Sequence, residues 1–100
     1  MKTLNYLKVP FGTAKMVSVT GAKYLAWEDA FEVDFVDGLS FLELHSTIRK
    51  ANKISRSAKP VRVELDEAPS IGFSIHYDNG QVAEVSWSFI RELPPRRVKQ

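Results

Sequence analysis

Apolar side chains recur at every second position in four stretches of the chain. Phe31, Val33 and Phe35 alternate with Glu32 and Asp34, and Val61, Val63 and Leu65 alternate with Arg62, Glu64 and Asp66. Further on, Ile71, Phe73, Ile75 and Tyr77 alternate with Gly72, Ser74 and His76, while Ala83, Val85, Trp87 and Phe89 alternate with Glu84, Ser86 and Ser88. Successive side chains on a strand point to opposite faces, so each stretch reads as a strand with one buried face. Four of them predict an antiparallel sheet solvated on one side. Val17 and Val19 suggest a further strand near 15–20, and Tyr24 to Trp27 extend toward the strand after it. Shared parity puts Val33, Phe35, Phe73, Ile75, Val85 and Trp87 in one core, with Phe89 continuing the apolar face of the last strand.

The turn signals agree with this pattern. Asp37-Gly38 separates 31–36 from 39–44, and Asn79-Gly80 separates 71–77 from 81–89. Both dipeptides supply the positive φ angles that tight hairpins require. The two hairpins resemble each other, Phe31-Glu-Val-Asp-Phe-Val-Asp-Gly beside Phe73-Ser-Ile-His-Tyr-Asp-Asn-Gly. An internal duplication accounts for this, and so do the common demands of hairpin geometry.

One segment breaks the period of two. Leu44, Ile48 and Ala51 follow helical spacing, which predicts a helix over about 45–56 with Ser46 as its N-cap. Ile48, Ala51 and Ile54 would face the sheet. Arg49, Lys53 and Arg56 fall at helical intervals on the other side, with Lys50 beside them, and form a basic stripe. Pro60 closes the segment by disfavouring helix at the residue before it. The expected fold class is α+β: five to six antiparallel strands in hairpins, with one short helix. No linker or repeat divides the 100 residues, so a single domain over 1–100 is expected, with 93–100 as a flexible tail.

Composition narrows the function classes. The hydrophobic share of 44% and charged share of 26% are those of a globular chain able to build its own core. Cysteine is absent, which excludes disulfides and thiolate metal sites. No apolar run approaches the roughly 20 residues of a membrane span. Residues 1–12 are too interrupted by lysine for a signal peptide, so the cytoplasm is the expected compartment. The net charge of +2 conceals blocks of one sign. Residues 24–48 hold Glu28, Asp29, Glu32, Asp34, Asp37 and Glu43 without a Lys or Arg, and 49–62 hold Arg49, Lys50, Lys53, Arg56, Lys59 and Arg62 without an acid.

Catalytic chemistry finds little support in the residues. His45 and His76 lie outside any metal-ligand spacing, and surface or capping roles fit them. Adjacent carboxylates such as Glu28-Asp29 and Asp66-Glu67 point to opposite faces of a strand and are not preassembled for acid–base work. No serine sits in a nucleophile elbow, and the five glycines form no phosphate loop. Neither an enzymatic activity, a cofactor nor a metal is expected. The basic stripe is open to three readings: a face solvated or neutralised by Glu32, Asp34 and Glu43, a surface for a protein partner, or a contact for nucleic acid. Trp27 and Trp87 are the aromatic candidates for a partner-binding patch.

Lys15-Met-Val-Ser-Val, Phe31-Glu-Val-Asp-Phe-Val-Asp-Gly and the closing Val85-Ser-Trp-Ser resemble, over Ala14 to Leu93, the small bacterial family known as domain of unknown function 2442. The resemblance implies a small α+β domain with a regulatory or partner-binding role, and it carries over no catalytic residue. The basic stretch Lys50–Pro60 departs from that family's pattern. Together these readings lead to the expectation of a non-catalytic protein-interaction or regulatory module. Its site would be Arg49, Lys50, Lys53, Arg56, Trp27 and Trp87, and its partner a protein or a second copy of the chain. Nucleic-acid binding through 49–62 and the tail is the alternative.

Overall fold

A computed structural model describes residues 16–91. The expected leader-free start and the expected flexible tail at 93–100 lie outside the described residues. The elements run β1 (Val19–Leu25), β2 (Ala30–Phe35), β3 (Ser40–Leu44), α1 (His45–Asn52), β4 (Pro60–Leu65), β5 (Gly72–Tyr77), β6 (Val82–Ser86) and α2 (Trp87–Arg91). The fold is α+β, and the six strands of the described residues divide into two antiparallel three-stranded sheets, β1-β2-β3 and β4-β5-β6.

Each sheet is a meander whose middle strand carries the core. β2 and β5 show the same alternation, with Phe31, Val33 and Phe35 buried from one and Phe73, Ile75 and Tyr77 from the other. The two inner faces meet in a single apolar cluster that also takes Val19, Ile48, Ile54, Ala83, Val85 and Ile90. Phe31 and Phe73 approach across it with ring centroids 6.4 Å apart. Backbone pairing stitches the sheets at one edge, where the Val19 amide donates to the Ser70 carbonyl at 2.9 Å. Both hairpin glycines sit at φ +91°, as the turns at Gly38 and Gly80 require.

Three expected elements differ. On β4 the alternation does not bury its apolar set: Val61 is 64% exposed and Leu65 38%. Pro60 pairs with Tyr77 and Arg62 with His76, so Val61 is the extra residue of a bulge and turns out of the register. The helix starts at His45 rather than after Ser46, and it ends at Asn52 rather than near residue 56. Lys53 adopts the left-handed conformation (φ 56°), and the Ile54 amide folds back to the Arg49 carbonyl at 3.0 Å. That closure satisfies the terminal carbonyls and drops Ile54 into the core, while Ala51 is left exposed.

The last strand also stops early. Ser86 ends β6, and its Oγ accepts the Phe89 amide at 3.3 Å, the bond of a helix cap. Trp87 and Phe89 therefore begin a turn of helix instead of extending a strand, and both are half-buried against the core. Arg91, at the end of α2, reaches back to the first sheet. Its guanidinium pairs with Asp37 at 3.1 Å and lies over the rings of Phe35 and Phe41 at 4.8 and 4.9 Å. The Asp37-Gly38 turn is thus anchored to the C-terminal helix.

The packing generates a direct test of the face assignment. Phe73 is 1% exposed, so Phe73→Ala should cost about 3–5 kcal/mol in urea unfolding. Its neighbour Ser74 bonds only the exposed Glu84, and Ser74→Ala should change stability by no more than ~0.5 kcal/mol. Equal losses at the two positions would contradict the assigned faces.

Candidate functional site

The turn between β1 and β2 closes with Asp29 amide bonded to the Ala26 carbonyl at 3.2 Å, and it leaves Asp29 at φ 50°. Aspartate tolerates this left-handed backbone better than most residues. In that conformation its carbonyl accepts the His45 amide at 3.0 Å, satisfying a helix-start donor for which Leu44 offers no side chain. Asp29 Oδ1 then accepts two further bonds, from the Tyr24 hydroxyl at 2.7 Å and from His45 Nδ1 at 2.8 Å. An ionised carboxylate only accepts, so Nδ1 carries the imidazole proton. His45 Nε2 is left as an acceptor for the Tyr77 hydroxyl, 2.8 Å away.

The expectation of a surface or capping histidine at position 45 is corrected by this geometry. His45 is fully buried, stacked on Tyr77 with an interplanar angle of 10° and met edge-on by Phe31 and Tyr24. Burial of an imidazole is tolerable because both nitrogens are bonded. His76 does sit on the polar face, where it pairs with Glu64 at 3.1 Å.

The network shifts its own titrations. The Tyr24 hydrogen bond is the foremost cause holding the Asp29 carboxyl below its usual range; burial opposes it, and His45 and Arg49 assist it. The same bond raises the Tyr24 phenol. Burial pushes His45 down against the upward pull of Asp29. Burial also pushes Tyr77 up to about 12. Both phenols consequently act as hydrogen-bond donors near neutral pH.

Beside Asp29 stands Arg49, four residues along α1 from His45. Its Nη1 lies 3.8 Å from Asp29 Oδ2, a long ion pair, and its Nε is buried without a hydrogen-bond partner among the described residues. Such an orphaned buried donor is rare in a folded protein. Next to it opens a cleft of about 610 Å³, lined by Tyr24, Ala26 and Asp29 from the first hairpin, Arg49 from α1, and the segment Arg56 to Pro60. That segment is irregular but fixed. Ser55 amide donates to Gln81 Oε1 at 2.9 Å, Lys59 amide to Asp78 Oδ1 at 3.0 Å, and Asp78 amide to the Lys59 carbonyl at 2.9 Å. Ala58 is buried beneath it. Among the described residues the side chains of Arg56 and Lys59 form no ion pair.

The basic stripe expected from the sequence is therefore broken up and rebuilt. Arg49 and Arg56 meet at the cleft, joined by Lys59, whereas Lys50 and Lys53 are exposed and do not line it. The stripe fails because Lys53 ends the helix, which takes Arg56 off the helical face. Of the acids expected to neutralise the stripe, two are engaged elsewhere. Glu32 pairs with Lys23 at 3.8 Å and Asp34 accepts the Ser40 hydroxyl at 2.6 Å, while Asp29 faces Arg49. Trp27 is 80% exposed on the turn beside Ala26, and Trp87 packs against the core at the start of α2. Among the described residues, no His, Asp and Glu side chains gather as a metal-holding group, and no helix is long and apolar enough to cross a membrane.

The buried imidazole makes stability depend on pH with a definite sign. Its folded pKa is lowered, so unfolded His45 takes up a proton near pH ~6.5 that the folded form does not. The contribution is complete above that pH and is lost as pH falls toward the folded value. Asp29, with its folded carboxyl depressed, adds a second decline that begins below pH ~4. Urea unfolding between pH ~8 and ~5 should show the first decline in the native protein and a flatter profile in His45→Gln. Parallel profiles would remove His45 as its source.

No family model matches the chain, and the comparisons with curated proteins and with solved structures found no match.

Proposed function

We propose that this protein is a non-catalytic interaction module that docks an acidic segment of a protein partner in the cleft formed by Arg49, Arg56 and Lys59. One observation carries the reading: three cations from two chain segments line a cleft of about 610 Å³, and among the described residues only the Arg49 side chain forms an ion pair, a long one with Asp29 at 3.8 Å. Positive charge fixed by the backbone and left without counter-charge raises the local potential and speeds encounter with an anionic partner.

The titratable groups support a binding role over catalysis. Tyr24 and Tyr77 are raised away from ionisation, and His45 is enclosed with both nitrogens occupied. A general base needs a free lone pair within reach of substrate. The cations gather at one cleft instead of running along a ridge, which favours a compact acidic group over an extended nucleic-acid backbone.

The test uses a fluorescein-labelled peptide of alternating glutamate and aspartate, titrated with protein and read by anisotropy. The native protein should bind it, and added salt should weaken binding. Arg56→Glu with Lys59→Glu should lower affinity by ~tenfold or more at an unchanged melting temperature, since neither side chain has a partner within the described fold. Undiminished binding by the folded double variant would remove the cleft from the site. Tighter binding of a duplex or single-stranded oligonucleotide than of the peptide, with a steep salt slope, would reassign the protein to nucleic acid.

A further inference from the structure

We infer that the acidic group the cleft accepts is a phosphomonoester, carried on a phosphorylated side chain of the partner. This inference rests on the interaction reading above and specifies its ligand. Charge is the first argument. Among the described residues, the lining carries Arg49, Arg56 and Lys59 against Asp29 alone, an excess of two positive charges. A phosphorylated side chain brings about 1.5 to 2 negative charges near neutral pH, whereas a carboxylate brings one. A phosphodiester also brings one per group.

Donor geometry is the second argument. A guanidinium is a planar fork suited to the paired oxygens of a phosphoryl group, and a lysine supplies a compact point charge beside it. Arg49 meets this description: among the described residues its one ion pair is the long contact of Nη1 with Asp29 Oδ2, which leaves the fork free to take a shorter bond. Asp29 does not close the site. Its Oδ1 is committed to Tyr24 and His45, and Oδ2 faces Arg49, so the carboxylate orients the guanidinium. Arg56 and Lys59 line the same cleft from the segment that follows α1, so the cations available to an anion come from two parts of the chain.

Room is the third. The cleft exceeds what an isolated phosphate fills, and Ala26, Ala58 and Pro60 give it apolar wall for the chain that bears the phosphate. Backbone anchoring of 55–60 on the β5–β6 turn fixes these walls before a ligand arrives. Preorganised donors lose little freedom on binding, so their charge converts into affinity.

The experiment compares three labelled peptides of one sequence that differ only at a central serine, phosphoserine or glutamate. The phosphoserine peptide should bind the native protein at least ~tenfold more tightly than the glutamate peptide, and the serine peptide should bind least. Arg56→Gln and Lys59→Gln should each erode that preference, and Lys50→Gln, which lies off the cleft, should preserve it; melting temperatures verify that all three fold. Equal affinity for phosphoserine and glutamate would overturn the phosphomonoester while sustaining the acidic-partner reading. Failure of every peptide to bind would overturn both. Phenyl phosphate binding as tightly as the phosphopeptide would overturn the assignment to a protein-borne group.

Discussion

A buried imidazole with both nitrogens engaged is the constraint on which the arrangement of this protein depends. His45 sits in no solvent, and each of its nitrogens takes its bond from a different sheet: Asp29 from the turn that opens β2, and Tyr77 from the end of β5. An apolar contact between two sheets tolerates some sliding. A pair of 2.8 Å bonds through one rigid ring does not, because losing either would strand a buried polar atom at about 1–3 kcal/mol. The ring therefore sets how the two meanders meet, and it sets the start of α1, whose first amide is bonded to the same Asp29.

Other ties extend this register outward. Arg91 fastens the second sheet's terminal helix to the Asp37 turn of the first. Asn52 spans the helix end and β6, donating to the Ile48 carbonyl and accepting the Glu84 amide. Gln81 does the same for the segment after the helix, accepting the Ser55 amide and donating to the Lys53 carbonyl. The irregular backbone between Lys53 and Pro60 is thereby tied to the β5–β6 turn. Arg56 and Lys59 owe their placement to these bonds and to the Lys59 amide's bond with Asp78 Oδ1, so their charged side chains are not what holds the segment in position.

The period of two carried most of the fold in the sequence, because β2 and β5 are middle strands packed on one face and their residues obey that single demand. The pattern misled where a second demand competed. On β4 a bulge following Pro60 outweighs alternation and turns Val61 outward. At Trp87 the Ser86 cap outweighs it and converts a strand into helix. The site was less legible. Basic residues at 49–62 were visible as composition, but their geometry hung on Lys53 adopting a left-handed backbone usually given to glycine. His45 was harder still. Nothing local distinguishes a helix-start histidine on the surface from one inside; its burial depends on Asp29 sixteen residues away and Tyr77 thirty-two away. Tyrosines at strand ends facing one histidine are the signal that could have found it.

The arrangement divides labour between charges that hold the fold and charges that stay available. Asp29 has the richest set of partners in the network, and each lowers its pKa by stabilising the carboxylate. Its partners Tyr24, His45 and Arg49 come from β1 and α1, so its ionised form is built into the architecture. Arg49 stands on the boundary: its Nη1 faces Asp29, and the residue also lines the cleft. Arg56 and Lys59 lie wholly on the other side of that boundary, joined to the fold through main chain alone. Removing their charge disturbs no internal pair, and removing Asp29 or His45 disturbs several. Recognition at the proposed docking cleft can therefore be altered at Arg56 and Lys59 with little consequence for folding. At Arg49 the two are coupled, because the carboxylate that aims the guanidinium is the one that anchors His45.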